Sequence, residues 1–247
     1  MSFIDFAKKK IMVVGATSGI GKQTAILLSQ LGAKVVLVGR NHEKLILASE
    51  ELVNPEMHKI IQYDVKCFNA CKDLFEEAVC DGKKLDGLVY CAGIAKAVPL
   101  RVISVDEFNN IFSTNFFGFI NCVSMYSKKR YNDGGCIVGV SAVNAHNPQK
   151  CMTLYSASKA ALESSVKTMS LELSDRNIRI NAIIPGAVAT PMVDMINSDT
   201  LDTIVSKQLL GIQSPMQIAD FIAFMLSERS SAVTGRCLYA DGGMLGQ

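Results

Sequence analysis

No two cysteines in this sequence are spaced Cys-x-x-Cys, although eight are present: Cys67, Cys71, Cys80, Cys91, Cys122, Cys136, Cys151 and Cys237. The histidines stand apart from them. That excludes a zinc ribbon or finger and argues against a disulfide framework. The thiols are expected to be free, buried or half-buried, in a reducing compartment, with no metal site. None has flanks that argue for a nucleophile. An excess of one charge is also missing. Lysine and arginine number 25 against 23 acids, for a net charge of +2, and the basic residues are scattered. That leaves no case for a nucleic-acid surface. The run Lys8-Lys9-Lys10 reads as a solvated entry to a strand. No apolar run is long enough to cross a bilayer. Met1-Ser2-Phe3-Ile4-Asp5-Phe6 lacks a basic region followed by an apolar leader core. A soluble, cytoplasmic protein with no membrane partner is expected. No linker, low-complexity tract or repeat interrupts the 247 residues, so they read as one domain, 1–247.

What is present is alternation. Lys10 to Val14 is an apolar strand, followed by Gly15-Ala16-Thr17-Ser18-Gly19-Ile20-Gly21 and a helical pattern that Gly32 stops. Strand, glycine-rich turn and helix together present backbone N–H groups to a phosphate. Ala33 to Val38 is a second strand, and helical patterns follow at Glu43–Val53 and Asn69–Cys80. Lys59–Tyr63 and Gly87–Tyr90 are further strands. Ser104 to Lys129 reads as one or two helices, with Asn115 in an apolar patch. A fifth strand ends at Val140, a helix spans Thr153–Asp175, and Arg179–Ile184 is a sixth strand. Gln217–Glu228 is helical and Cys237–Ala240 is a short last strand. Repeated strand and helix with apolar strands predicts an α/β fold, a doubly wound parallel sheet of about seven strands with helices on both faces. Residues 187–214 lack clear periodicity and follow a strand end. They read as a substrate lid, with a surface insertion carrying its own small helix as the alternative.

The second strand ends at Gly39-Arg40. A carboxylate there would bind the ribose 2′-hydroxyl of NAD(H) and repel a 2′-phosphate, whereas an arginine can pair with that phosphate. NADP(H) is therefore favoured over NAD(H). A helix-capping or solvated Arg40 is the alternative.

Tyr155 and Lys159 are four residues apart on one helix, which places them on one face, roughly 5–6 Å apart at Cβ. A phenol titrates near ~10, and an ammonium beside it favours the phenolate. Such a pair can act as general acid or base on a hydroxyl or carbonyl. Taken alone, it equally fits a surface helix.

Together these residues resemble the short-chain dehydrogenase/reductase family along essentially the whole chain. Gly15, Thr17, Ser18, Gly19, Ile20 and Gly21 match its cofactor loop, and Asp64-Val65 its adenine contact. Cys91-Ala92-Gly93 stands for an Asn-Ala-Gly segment. Pro185-Gly186, Val188 and Thr190 match the stretch around the nicotinamide. Asn115, Ser141, Tyr155 and Lys159 match the catalytic tetrad in order and approximate spacing. The resemblance implies that Tyr155 donates a proton to a carbonyl oxygen, Ser141 bonds the same oxygen, and Asn115 anchors a water leading to solvent. Lys159 would lower the pKa of Tyr155 and hold the nicotinamide ribose. It further implies a small carbonyl or alcohol substrate and a homodimer or homotetramer. The likeness is greatest to 3-oxoacyl-carrier-protein reductases, whose substrate rides on an acyl carrier protein. Arg130 and Arg176 lie where a carrier would dock, or are ordinary surface charge. A dehydrogenase of a sugar, polyol, steroid or other secondary alcohol is the alternative, and a non-catalytic NADP-binding sensor or scaffold is another. Cys91 in place of asparagine implies a loss of local rigidity. A Ser141–Tyr155 interval one residue longer than usual implies a reshaped pocket edge.

Overall fold

A computed structural model describes residues 3–195 and 198–245. Seven parallel strands form one sheet in the order β3-β2-β1-β4-β5-β6-β7. They are β1 (Lys10–Val14), β2 (Lys34–Gly39), β3 (Lys59–Gln62), β4 (Gly87–Tyr90), β5 (Gly135–Val140), β6 (Ile178–Pro185) and β7 (Cys237–Ala240). The helices are α1 (Gly19–Gln30), α2 (His42–Ser49), α3 (Cys71–Ala78), α4 (Val105–Phe112), α5 (Gly118–Tyr126), α6 (Thr153–Leu173), α7 (Ser198–Val205) and α8 (Pro215–Leu226). The expected doubly wound α/β sheet is the one found.

Successive side chains of a strand point to opposite faces. In β1, Met12 and Val14 join a core shared with α3, α5 and α6, while Ile11 and Val13 join one shared with α1, α2 and α8. β2 divides likewise, Val36 and Val38 on one side, Val35 and Leu37 on the other. Both faces are covered, which is why the strands read as unbroken apolar runs rather than alternating ones.

The chain leaves β1 in one direction toward β2 and returns to β1's other edge as β4. At such a reversal the loops after the two strands part and leave a crevice at the strands' carboxyl ends. Here those loops stay in contact at their roots, because the Cys91 amide donates to the Val14 carbonyl at 2.8 Å.

Several boundaries and one side chain differ from expectation. α8 begins at Pro215, two residues early, because Ser214 and Gln217 form a reciprocal capping box and proline suits the first helical position. Residues 187–214 contain α7 and a bridge between Val188 and Gln213, so the stretch is not irregular throughout. Ile196, in the same stretch, lies outside the described residues. Lys10 is not solvated. Its side chain is fully buried, and its ammonium bonds Asp81 at 2.6 Å and the Lys83 carbonyl at 3.2 Å. The short run of lysines hid a strand residue whose charge needs a partner inside the fold.

Candidate active site

The loop after β1 is built for close approach. Gly15 has φ of +88°, and a Cβ there would lie 2.6 Å from the Ala92 nitrogen, so only glycine lets the two loops meet. α1 then starts at the crevice. Its N-cap, Ser18, makes no side-chain capping bond, and no acid lies in the first turn. By contrast Asn41, Ser104 and Ser214 cap α2, α4 and α8 with their side chains. The first amides of α1 therefore keep their donors and the positive end of the helix dipole for an anion. Thr190 closes the far side, with its methyl 3.0 Å from where a Gly19 Cβ would stand.

Arg40 follows the end of β2 and is exposed. Its carbonyl receives Gln62 at 3.0 Å, and among the described residues its guanidinium makes no ion pair. At Gly39, a Cβ would fall 2.8 Å from the Thr17 methyl, so a side chain there would have to displace Thr17. Asp64 accepts from the Lys66 amide at 3.0 Å, and Val65 is buried in the core. Gly186 packs on Gln208, and Val188 belongs to the core beside α8. These residues would border an extended dinucleotide along the strand ends.

The four expected catalytic residues come together from three parts of the chain. β5 ends at Val140 and delivers Ser141. α6 delivers Tyr155 and Lys159. The Lys159 ammonium donates to the Val140 carbonyl at 2.8 Å and lies 5.9 Å from the centre of the Tyr155 ring. Asn115 sits on a π-helical turn, Ser113–Phe117, between α4 and α5. Such a turn re-aims a side chain and is frequent at functional sites. The Asn115 amide clamps Ile94 in both directions, accepting from its nitrogen at 2.8 Å and donating to its oxygen at 3.0 Å, and also bonds Ser158 at 2.9 Å. Gly93 lies beside both: a Cβ there would stand at ordinary contact distance, 3.4 Å from the Lys159 ammonium and 3.6 Å from the Asn115 oxygen.

Burial dominates the electrostatics. It pushes the Tyr155 phenol up to about 12 and the Lys159 ammonium down to about 8, the Glu163 carboxylate opposing the latter. The expected lowering of Tyr155 by Lys159 does not show: burial is what moves the phenol, and it moves it up. The Cys91 thiol is likewise pushed up to about 12 and is neutral. The rigidity expected to suffer at Cys91 is supplied by Tyr90, whose hydroxyl donates to the Thr114 carbonyl on the π turn at 2.6 Å.

Reading the sequence alone missed Glu163 and His146. Glu163 accepts from Ser141 at 2.5 Å and meets His146 at 2.7 Å. The four-residue spacing puts Tyr155, Lys159 and Glu163 on one face of α6, but only the fold shows that Glu163 is buried and so requires partners. Arg176 donates to the Ser127 carbonyl, and Arg130 approaches Glu76 at 3.4 Å. Both contacts are ordinary structural ones. A crevice of about 580 Å³ lies at the opposite ends of the strands. There Lys9 pairs with Asp86, and Arg179 donates to the backbone of Met225, Ser227 and Val233, so its charges are already committed to the fold.

A family model described as enoyl-(acyl carrier protein) reductase matches residues 15–245. Glucose 1-dehydrogenase of Gluconobacter oxydans is 34% identical over 250 residues, covering 97% of this chain and 92% of that protein. The 3-oxoacyl-(acyl-carrier-protein) reductase FabG of Thermotoga maritima is 33% identical over 247 residues, covering 96% and 98%. Among solved structures, a short-chain dehydrogenase/reductase titled glucose/ribitol dehydrogenase, from Brucella melitensis, superposes with a TM-score of 0.92 at 27% identity and 98% coverage of both chains.

Proposed function

The chain belongs to the short-chain dehydrogenase/reductase family, as an oxidoreductase acting on a CH–OH group or its carbonyl, and on that footing we propose an NADP(H)-dependent reductase of a 3-oxoacyl thioester or similar ketone. The grouping of Asn115, Ser141, Tyr155 and Lys159 beside Gly93 carries this reading. The coenzyme, when bound, supplies the hydride for the carbonyl carbon. It would be held by the first turn of α1, Asp64-Val65, the 91–93 and 185–190 segments and the ribose contact of Lys159. Arg40, with no acid at Gly39, favours the 2′-phosphate.

Tyr155 holds the proton at its phenol oxygen. A phenol pushed up to about 12 is neutral at ordinary pH and ready to donate. The substrate oxygen becomes strongly basic as the carbon is reduced, so the transfer runs downhill despite the weak acid. Ser141 is proposed to bond the same oxygen, for which its proton must turn from Glu163, where it rests here. Lys159 balances the charge left on Tyr155, and Asn115 holds the 93–94 backbone that frames the route to solvent. Because all four residues are present and assembled, a non-catalytic sensor has no support.

An apolar substrate suits residues 187–214 acting as a lid, which expose Leu209, Leu210 and Ile212. The likeness to a glucose dehydrogenase keeps a sugar or other secondary alcohol as the second reading. Exposed Phe117, Phe68 and Leu171 on and beside α5 and α6 support a homodimer or homotetramer. The protein's expected place is the cytoplasm; among the described residues, no helix is long and apolar enough to cross a membrane. The test is Tyr155→Phe, which should lose about 10²–10⁴-fold in turnover while binding coenzyme as before. Retained turnover would remove Tyr155 from the chemistry.

A further inference from the structure

Among the described residues of 187–214, Gln208 is the one polar side chain that the fold buries, at 4% exposure. It lies just past α7, on the return leg of that stretch, and no step above uses it. Its amide has two N–H donors and a carbonyl oxygen, and all are engaged. The oxygen accepts from the Ala187 amide. The nitrogen donates to the Ala187 carbonyl at 3.4 Å and to the Gly211 carbonyl at 2.8 Å. The ladder between β6 and β7 runs out at Gly186, whose amide reaches the Ala240 carbonyl at 3.4 Å, so the buried Ala187 needs other partners. Gln208 meets both of its polar groups. The main chain of Gln213 continues the same support, donating to the Ala187 carbonyl at 3.1 Å and accepting from the Ala189 amide at 2.8 Å. In this parallel bridge the N–H and C=O of Val188 itself point away from residue 213. Gly186 is matched to the amide: a Cβ there would stand 2.7 Å from the Gln208 oxygen and 2.9 Å from the Asp241 carbonyl.

We propose that Gln208 is a positioning residue for the coenzyme: by holding both polar groups of Ala187, it sets the direction in which the 186–190 backbone meets the nicotinamide. This rests on the reading above that residues 185–190 border that ring. Gln208 acts through Ala187. Its role needs a side chain that accepts and donates at once. Methionine does neither, an ionised glutamate only accepts, and asparagine is one methylene short. The bond to Gly211 anchors the amide on its other side, so it cannot turn from Ala187 without losing a second partner. The adenine half of the coenzyme is assigned to Arg40 and Asp64-Val65, on other elements. Loss of Gln208 should therefore be felt at the nicotinamide half alone.

The test is calorimetric titration of the full chain with NADPH and with 2′-phospho-ADP-ribose, which lacks the nicotinamide. In the wild type NADPH should bind more tightly, and the ratio of the two Kd values measures what the nicotinamide half contributes. Gln208→Met keeps the length and removes both polar groups. It should cut that ratio about fivefold, the worth of one net hydrogen bond, and leave the fragment's Kd unchanged. A protein that is merely loosened loses both ligands alike and keeps the ratio. Should Gln208→Met fail to fold, Gln208→Glu takes its place. It retains an acceptor for the Ala187 amide, loses the donors, and should cut the ratio by a smaller factor. An unchanged ratio, or an equal loss of both ligands, would overturn the proposal. A wild type that binds NADPH and the fragment equally would overturn the reading of 185–190 as the nicotinamide border, and the role of Gln208 with it. A wild type that takes NADH instead ends the role of Arg40 alone. The same ratio, measured with NADH and ADP-ribose, then decides for or against Gln208.

Discussion

Replacing Gly118 with alanine should cost the fold about 3 kcal/mol, although a helical backbone at that position would ordinarily favour alanine by about 1 kcal/mol. The added methyl would stand 2.4 Å from the Tyr90 hydroxyl, 2.9 Å from the Val65 Cβ and 3.2 Å from the Ser113 carbonyl. Tyr90 is 1% exposed and Val65 5%, so neither can swing into solvent. Moving Tyr90 breaks its 2.6 Å bond to the Thr114 carbonyl and strands a buried donor and acceptor, at about 1–3 kcal/mol. Overpacking against Val65 adds about 1–3 kcal/mol. Urea unfolding should show a lower midpoint with an unchanged slope. Thermal unfolding should fall by about 6–12 °C. Thr114 adjoins Asn115, so turnover should fall further than the loss of folded protein explains. Tyr90→Phe removes the nearest obstacle, so the double variant should be less destabilised than the two singles together by about 1 kcal/mol. A loss below about 0.5 kcal/mol for Gly118→Ala, or strict additivity with Tyr90→Phe, would refute the packing argument.

Arg40→Ala should weaken NADPH binding about 10–100-fold, as expected for losing a charge-assisted contact to phosphate, and leave NADH binding nearly unchanged in fluorescence titrations. Equal losses would end the role given to Arg40. Lys159→Met tests the buried ammonium through pH. Burial lowers Lys159 from 10.5 to about 8, so between those values the unfolded chain holds more protons than the folded one. Wild-type stability should therefore gain from this group as pH rises from about 8 to 10.5, and the penalty is fully present below 8. The gap in urea midpoint between variant and wild type should shift in the wild type's favour across that window; Lys10, also lowered, is common to both and cancels. A gap that does not change with pH would mean Lys159 is not desolvated.

The sheet and the catalytic face were legible because they rest on periodicity. Lys10–Val14 and Gly87–Tyr90 were expected at the bounds where the structure has them, since strands covered on both faces are apolar throughout. Tyr155 and Lys159 were legible from their four-residue spacing. What escaped depends on contacts between distant segments. Lys10 looked solvated because its partner Asp81 lies 71 residues away. Asn115 was visible as an amide among apolar residues, but the π turn that aims it follows from Tyr90 and Gly118 packing across the fold. Glu163 looks like one more helical glutamate until β5 brings Ser141 and the following loop brings His146 against it. The direction of the Tyr155 shift also escaped, since a neighbouring ammonium is visible in sequence and the depth of burial is not.

The central claim is most directly tested by following the absorbance of reduced nicotinamide while a short 3-oxoacyl thioester is added with NADPH or with NADH. The account predicts oxidation of NADPH, little oxidation of NADH, and loss of the signal in Tyr155→Phe. Faster turnover with NADH, or no turnover of the thioester or any ketone by protein that binds NADPH, would contradict it.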